Sequence, residues 1–533
     1  MVRRGGLLLA EEQIPDPALL NLDTMKKFRI EDVDRISELP EAILHHIFSF
    51  LPFKQVVQTS VLSKQWERTW RTYPVFEFDA SVFNLDSRDR FLDNKQFLRN
   101  PEFVSFIDRC ISCAIGSDVK ELKLKLFTYG YEWYNLPKMV FCAKSIDLLE
   151  LEGCKLKLPS KVKLSCLRKL FLSRVYADDQ VIETLVGGCP LIEEMSLSDC
   201  RGFKSLELFG LDRLNDIKIL YNTGVQLYNS GLQRVVIKVL NVHSLAFVGR
   251  LFDACEINVA YCKNLKSLSL SSSSIKDEWL CNLISKLPHL ECLYLGSCHK
   301  LESIKISSPS LKELRIYGCE KLAEVNIDTP NLSFFNYSGD MISLSSNALA
   351  LSKVDLFLFR KNFYTLWHAK YIELLVQFRY CSEILNIQVV KDEDVIVPIE
   401  LRQTLPSPLS SGIHLNLPIF TIPVHFSIAK VVDSLLWIAP HVKTMSILKY
   451  CHSSRSSFEF QYKKQIVYEG ASASCCKSLP VSCWRHCIQE IMVEIMDESK
   501  QGRNKIIKRY YLEGSDMYEK IDDLCRFSDT KSA

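Results

Sequence analysis

Five residues near the C-terminus are of the types that bind zinc: Cys475, Cys476, Cys483, His486 and Cys487. Thiolates and imidazoles are ligands that zinc prefers, but structural zinc sites usually combine a Cys-x-x-Cys pair with a second, well-spaced pair. The cluster lacks this spacing. The sequence therefore predicts no metal here.

Signatures of catalysis are missing as well. The chain contains no phosphate-binding G-x-x-x-x-G-K-[ST] loop, no H-E-x-x-H pair and no G-x-S-x-G elbow. We expect no catalytic residues and no cofactor. The chain is expected to bind other molecules without being an enzyme.

Composition narrows the class of protein. Of the 533 residues 47% are apolar, which is typical of a chain that folds into several domains or one elongated repeat array. The net charge of +3 lacks the basic excess of a dedicated nucleic-acid binder, so we expect no nucleic-acid partner. No run approaches the ~18 apolar residues of a membrane span. We expect a soluble intracellular protein, and both nucleus and cytoplasm remain open.

The segment from residue 39 to residue 70 has a strong helical pattern. Apolar residues recur at steps of three and four from Ile43 to Leu51, and prolines at positions 40 and 52 separate short helices. Three short helices are predicted. So small a unit cannot enclose all of its apolar side chains, so we expect the surplus to face a partner. From periodicity alone, an ordinary helical hairpin within a larger core is the alternative.

This segment resembles the F-box of plant F-box/leucine-rich-repeat (FBD-like) proteins. The shared features are Leu-Pro, an acidic residue, Ile-Leu, a Phe-Leu-Pro corner, Val-Leu-Ser-Lys and two tryptophans, with mild departures at Ala42, Phe53 and Gln65. The resemblance implies docking on a Skp-type adaptor by helix-in-groove recognition, and through it on the cullin and RING subunits of a ubiquitin ligase. The adaptor-binding residues it implies are Leu39, Pro40, Ile43, Leu44, Ile47, Phe48, Leu51, Pro52, Val61, Leu62 and Trp66.

A second pattern runs through the middle of the chain. Cys154, Cys200, Cys298 and Cys319 each end a copy of L-x-x-L-x-L-x-x-C, in which other apolar residues replace some leucines. Leucine-rich repeats bury this cysteine at the turn after the strand, so we interpret these residues as packing cysteines. Weaker copies lie at Leu214, Ile217 and Ile219, and at Ala254, Ile257, Val259 and Cys262.

The spacing of the clearest copies predicts a solenoid. Leu290, Leu311 and Leu332 stand 21 residues apart, within the range of this repeat class. The predicted fold class is α/β: a small helical F-box followed by a leucine-rich-repeat solenoid with a parallel sheet on its concave face. The predicted boundaries are a disordered tail at 1–30, the F-box at 31–80, a helical connector at 81–115, repeats at 116–340, divergent longer repeats and a C-terminal cap at 341–497, and a poorly packed tail at 498–533.

The repeat register also predicts a candidate surface. Strand side chains alternate, so residues between the leucines face the concave side, and a shift of 21 residues moves one strand along the sheet. Tyr294, Arg315 and Asn336 should form one row, with Arg315 close enough to stack on Tyr294. With Tyr317 and Phe334 in the flanking rows, they are our candidate substrate-binding residues. Alternatively these residues are merely solvated and contacts lie on loops or C-terminal repeats.

Two functions fit the sequence. The first is the substrate-recognition subunit of an SCF-type (Skp-cullin-F-box) E3 ubiquitin ligase, in which the repeats bind an unidentified protein. The second is a repeat scaffold or small-molecule sensor that binds the adaptor without driving degradation. Both predict adaptor binding, and they differ in whether a captured protein becomes ubiquitinated.

Overall fold

The computed structural model describes residues 39–80, 98, 100–126, 133–221, 232–249, 255–271, 275–359, 366–409, 412–419, 428–449, 454–462, 488–497 and 504–511. The predicted tail at 1–30 and the cysteine-histidine cluster at 475–487 lie outside these residues.

A small helical unit opens the described chain. Its helices are α1 (Glu41–Phe48), α2 (Phe53–Gln58) and α3 (Lys64–Arg71), with a 3₁₀ turn (Thr59–Val61) between the last two. Pro40 and Pro52 stand immediately before α1 and α2, where a missing N–H costs little. The Ser63 hydroxyl accepts a hydrogen bond from the Trp66 backbone N–H at 3.4 Å and caps α3.

This unit has a core of its own. Leu44, Phe48, Val56 and Trp66 are buried together. The rings of Phe48 and Trp66 lie 5.5 Å apart between centroids, a distance typical of favourable aromatic contacts. Leu44 and Phe48 of α1 are therefore used inside the unit, which limits what remains for a partner.

The elements up to residue 284 are, in chain order, β1 (Val75–Asp79), α4 (Pro101–Gly116), β2 (Glu121–Lys125), β3 (Tyr134–Asn135), β4 (Leu148–Glu152), β5 (Cys154–Lys155), β6 (Lys169–Ser173), α5 (Asp179–Gly187), β7 (Glu194–Ser198), β8 (Ser205–Phe209), β9 (Asp216–Leu220), β10 (Arg234–Lys238), β11 (Ser244–Val248), β12 (Glu256–Asn258), β13 (Ser267–Ser271) and α6 (Asp277–Ile284).

The later elements are β14 (Cys292–Gly296), β15 (Ser303–Ser307), β16 (Glu313–Tyr317), β17 (Glu324–Asp328), β18 (Phe334–Asp340), β19 (Ser343–Ser346), β20 (Lys353–Phe359), α7 (Trp367–Val376), β21 (Ile384–Val389), α8 (Ile399–Thr404), β22 (His414–Ile419), α9 (Ile428–Ile438), β23 (Thr444–Lys449), β24 (Ser454–Tyr462), β25 (Ile488–Asp497) and β26 (Asn504–Tyr511).

One 18-stranded sheet runs through the repeats. From β1 to β23 its neighbours are parallel, because every strand is followed by a crossover to the next. In most of these strands burial alternates along the chain, with the leucines of the repeat pattern inside. The predicted α/β solenoid with a parallel sheet is confirmed.

The crossovers between main-sheet strands carry either a strand or a helix on the back of the sheet. Register partners on β14 and β16 are 21 residues apart, and their crossover carries the short strand β15. Partners on β20, β21 and β22 are 30 or 31 residues apart, and their crossovers carry α7 and α8. Strands carried by the crossovers form two outer sheets, β8-β10-β12 and β15-β17-β19, which the sequence did not reveal.

For the weak repeat predicted at Ala254 to Cys262, the implied position in the main sheet is wrong. The residues around Ile257 form β12, which pairs with β10 in an outer sheet. The main-sheet strand is β11, in which Leu245 and Phe247, with Val242 just before the strand, follow the repeat spacing with only one leucine.

The repeat cysteines are buried free thiols, as predicted. The Cys298 Sγ–H donates to the Gly296 carbonyl at 3.3 Å, and the equivalent contact of Cys319 is to Tyr317 at 3.8 Å. Each thiol thus meets a backbone carbonyl two residues earlier and fills the turn.

The C-terminal end differs from the prediction. β24, β25 and β26 continue the main sheet in antiparallel order. The stretch at 504–511, predicted to lie in a poorly packed tail, is β26, whose backbone pairs with β25 along its full length. The physical reason is that β25 without β26 would be the edge strand of the main sheet, with unpaired backbone N–H and C=O groups. The backbone of β26 pairs with these groups.

Candidate protein-interaction surfaces

The helical unit exposes large apolar side chains despite having its own core. Ile43, Phe50, Val61 and Leu62 are exposed by 46%, 74%, 85% and 62%. We call these four residues the apolar set. α1 carries the first, the corner after α1 the second, and the turn between α2 and α3 the last two. Apolar side chains that a small unit leaves in water are available to a partner.

The predicted adaptor-binding residues divide into three groups. Pro40, Ile43, Pro52, Val61 and Leu62 are exposed. Leu39, Ile47 and Leu51 are half-buried against the core of the unit. For Leu44, Phe48 and Trp66 the structure corrects the prediction of direct contact with the adaptor. Their side chains are at most 5% exposed and pack between the helices of the unit.

Phe50 is a large exposed residue that the sequence did not place among the candidate contact residues. It belongs to the Phe-Leu-Pro corner, but a motif does not show which of its apolar residues points outward. In the structure α1 ends at Phe48, and the Phe50 ring lies against His46 with centroids 4.9 Å apart. This contact orients the ring while leaving most of it in solvent.

A second surface is the face of the main sheet opposite the helices and outer strands, which we call the open face. Tyr294, Arg315 and Asn336 are register partners on β14, β16 and β18, which confirms the predicted row. Tyr317 lies in the next row and is 51% exposed, the most accessible aromatic residue of the candidate patch.

The predicted stacking of Arg315 on Tyr294 is wrong. The Arg315 guanidinium carbon lies 5.0 Å from the ring centroid of Phe334, and the Lys353 Nζ lies 4.9 Å from the same ring. The Glu313 carboxylate, on the same strand as Arg315, accepts a hydrogen bond from its Nε. Phe334 therefore sits between two cations, and both stabilise it through the negative faces of the ring.

Tyr294 turns towards Gly296 instead. A β-carbon at Gly296 would lie 3.0 Å from the Tyr294 ring, so the absent side chain makes room for it. Burial raises the pKa of the Tyr294 phenol. This tyrosine is consequently a half-buried, neutral part of the surface, whereas Tyr317 stands out from it.

The central row continues with polar residues into the longer repeats. Asn336 is followed by Asp355, Asn386, Asn416 and Ser446 on successive strands. The Asn416 amide donates to the Asn386 Oδ1 at 2.7 Å, and the Asn386 amide donates to the Asp355 carboxylate. These side chains line a groove of about 420 Å³, together with Phe357, Gln388 and Pro418.

The N-terminal part of the open face is charged but internally paired. The Lys125 Nζ lies 3.5 Å from Glu77 and 3.4 Å from Glu150, on the two neighbouring strands. On the adjacent strands β6 and β7, the Lys169 Nζ lies 2.6 Å from the Glu194 Oε1. A groove of about 450 Å³ lies here, and its charges already have partners within the chain.

Within the described ranges, no group of three or more His, Cys, Asp or Glu side chains could hold a metal ion. In the same part of the chain, no helix has the length and apolar character needed to cross a bilayer.

Comparison with known proteins gives two family matches. The family described as "F-box domain" matches residues 36–78, and the family described as "At1g61320/AtMIF1, LRR domain" matches residues 91–251 and 230–391. The second match covers more than half of the chain, and the two matches together account for the helical unit and most of the parallel sheet.

Similar proteins of Arabidopsis thaliana have related names. An F-box/LRR-repeat protein is 28% identical over 204 residues, which are 36% of this chain and 44% of the relative. Two F-box/FBD/LRR-repeat proteins are 32% identical over 196 residues and 31% identical over 249 residues. Those matches cover 32% and 42% of this chain, and 44% and 54% of the relatives. The chain thus spans about half the length of these relatives.

Proposed function

The chain belongs to the F-box/leucine-rich-repeat family, and from this premise we propose that it is the substrate-recognition subunit of an SCF-type E3 ubiquitin ligase. In this role the F-box docks on a Skp-type adaptor, which connects it to cullin and RING subunits. The repeats bind the protein to be ubiquitinated. The ubiquitin transfer itself is carried out by the partners.

The apolar set of the F-box is the observation that carries the adaptor half of the proposal. The unit already buries Leu44 and Phe48 completely, so its remaining apolar residues are not needed for its own core. Apolar anchors dominate the energy of helix-in-groove complexes, and transfer of each such side chain out of water contributes roughly 1.5–3 kcal/mol. Adaptor docking would use the area that this chain leaves in water.

The open face supports the receptor half. Tyr317, Arg315 and Phe334 lie on adjacent strands, and aromatic and arginine side chains are enriched among the residues that dominate binding energy. The flanking strands hold the backbone of this patch in place, so little ordering is required on binding. We propose that this patch, with Tyr294 and Asn336, contributes to substrate capture.

A pull-down of purified adaptor tests the docking claim. Val61→Asp combined with Leu62→Asp is expected to abolish capture, because it places two charges where apolar contact is proposed. Leu349→Asp is the matched control, since Leu349 is 74% exposed but lies in the repeats. Capture that survives the double substitution as well as it survives the control would refute the docking surface.

Ubiquitin transfer separates a receptor from a scaffold. A partner captured through the repeats is expected to become ubiquitinated in a reconstituted ligase containing this chain, and to lose this modification with Tyr317→Ala and Arg315→Glu. If the captured partner is never modified, the receptor role is wrong and the scaffold alternative gains support.

A further inference from the structure

We propose that the groove at Asn386 and Gln388 binds the backbone of an extended, unphosphorylated polypeptide segment. This names a substrate class for the receptor role proposed above and rests on it. The groove spans β18 and β20 to β23, beyond the aromatic patch, and none of the residues predicted from the sequence except Asn336 lines it.

The polar side chains of the groove have the period of an extended chain. Asn386 and Gln388 are two residues apart on β21 and point to the same open face. Their spacing along the strand is about 6.6 Å, which is also the spacing at which an extended chain presents backbone groups to one side. A segment lying along β21 would therefore meet both side chains with equivalent groups.

The side-chain amides of the groove match the hydrogen-bonding groups of a peptide backbone. Each side-chain amide offers two N–H donors and a carbonyl acceptor, and a peptide backbone offers one of each per residue. The bonds from Asn416 to Asn386 and from Asn386 to Asp355 use one donor of each amide. They fix the orientation of the row and leave the second N–H of each amide directed elsewhere.

Apolar side chains flank the amides. Phe357 and Pro418 are in the same row as Gln388, one on each side, on β20 and β22 respectively. They border the position where a bound segment would place its own side chains. A groove of about 420 Å³ with apolar walls and a few polar groups has the composition of a binding site.

Charge argues against a phosphorylated segment. Asp355 is the sole ionisable side chain among the described residues that line the groove, and it is negative. The nearest cation on the same strand, Lys353, lies 3.5 Å from this carboxylate and over the Phe334 ring. Phosphate recognition requires free arginine or lysine donors, and the lining residues supply none.

The test is peptide selection with the full-length chain. A phage-displayed library of random twelve-residue peptides is enriched on the wild-type protein and compared on Asn386→Leu/Gln388→Leu. The matched control is Ser269→Leu/Ser271→Leu, which also replaces two polar side chains by leucine in the same two rows, but on β13. We expect peptides whose binding weakens at least tenfold on the groove variant and stays within threefold on the control.

A selected peptide then shows whether its backbone is read. Two synthetic copies, N-methylated at odd or at even positions, present their donors to opposite sides. We expect one copy to lose binding at least tenfold and the other to retain it. The absence of groove-dependent peptides would overturn the proposal in favour of a compact ligand. Equal tolerance of both methylation patterns, or binding only after phosphorylation of the peptide, would also overturn it.

Adaptor capture by the same variants keeps this proposal separate from the proposed function. Both double variants are expected to retain adaptor binding, because their substitutions lie far from the F-box in the chain. Peptide binding without adaptor capture would refute the ligase role alone, and capture without groove-dependent peptides would refute the groove proposal alone.

Discussion

Replacing Leu44 by alanine is expected to open the F-box without altering any residue of the apolar set. Leu44 is fully buried among Phe48, Val56 and Trp66. Leucine-to-alanine changes in protein cores cost about 2–5 kcal/mol, through lost transfer energy and a cavity. Among the described residues, four buried apolar side chains form the centre of this core, so the loss of one removes a large share of it.

The magnitude translates directly into exchange rates. At 1.4 kcal/mol per factor of ten, a loss of about 2–5 kcal/mol raises opening-limited amide exchange by roughly 30-fold to several thousand-fold. Hydrogen exchange of the full chain, read on peptides from residues 41–71, measures it. Leu62→Ala is the matched comparison, because Leu62 is 62% exposed and surface changes stay within about 0.5 kcal/mol.

Either of two results would refute these roles of Leu44 and the apolar set. Exchange within threefold of wild type in Leu44→Ala would show that this leucine does not hold the unit together. Comparable acceleration in Leu62→Ala would show that the apolar set is structural and not available to a partner. Peptides from the repeats serve as the internal reference, and their exchange is expected to stay unchanged.

Three further outcomes follow from the repeats. The Arg402 guanidinium is 7% exposed and lies 2.7 Å from the Asp433 carboxylate. Asp433→Ala removes this carboxylate and is expected to lower the free energy of unfolding by about 3–5 kcal/mol. Unchanged hydrogen exchange in α8 and α9 would contradict this expectation. Gly202→Ala is expected to lower the melting temperature, because φ is +99° and a β-carbon would collide with a backbone carbonyl. Gly187→Ala is expected to be neutral or stabilising, because a β-carbon there meets open space. Equal changes in the melting temperature of the two variants would refute this distinction. Burial raises the pKa of Cys189 from 9.0 to about 12, so the stability it contributes is complete below pH 9 and is lost as pH rises towards 12. Relative to Cys189→Ala, urea unfolding of the wild type should therefore lose about 1.4 kcal/mol between pH 8 and pH 10, and parallel curves would contradict this.

Much of the fold could be predicted from the sequence because the apolar residues of the repeats recur periodically. The buried apolar residues of β14, β16 and β18 recur at a fixed spacing and fill equivalent positions, so one repeat predicts the next. β11, with the buried residues Leu245 and Phe247, was not predicted because its register partners on β9 lie 28 residues earlier, unlike the 21-residue spacing of the clear copies. The outer strands bury only about two side chains each, which is too short a pattern to distinguish from a loop.

The candidate surfaces were harder to predict for physical reasons. Helical periodicity shows that Leu44 and Leu62 are both apolar, but not that the unit's own core uses the first and leaves the second in water. On the open face the register was predictable from spacing, whereas the choice of Arg315 between Tyr294 and Phe334 depends on rotamers and on the Glu313 contact. The amide groove arises from repeats 30 residues long, whose register a 21-residue period could not predict.

The adaptor docking proposed for the F-box can be measured by titration calorimetry of the full-length chain with a purified Skp-type adaptor. We expect saturable binding with one adaptor per chain, which is lost in Val61→Asp/Leu62→Asp and retained in Leu349→Asp. The absence of saturable binding by the wild-type chain, or binding that the double substitution leaves unchanged, would contradict it.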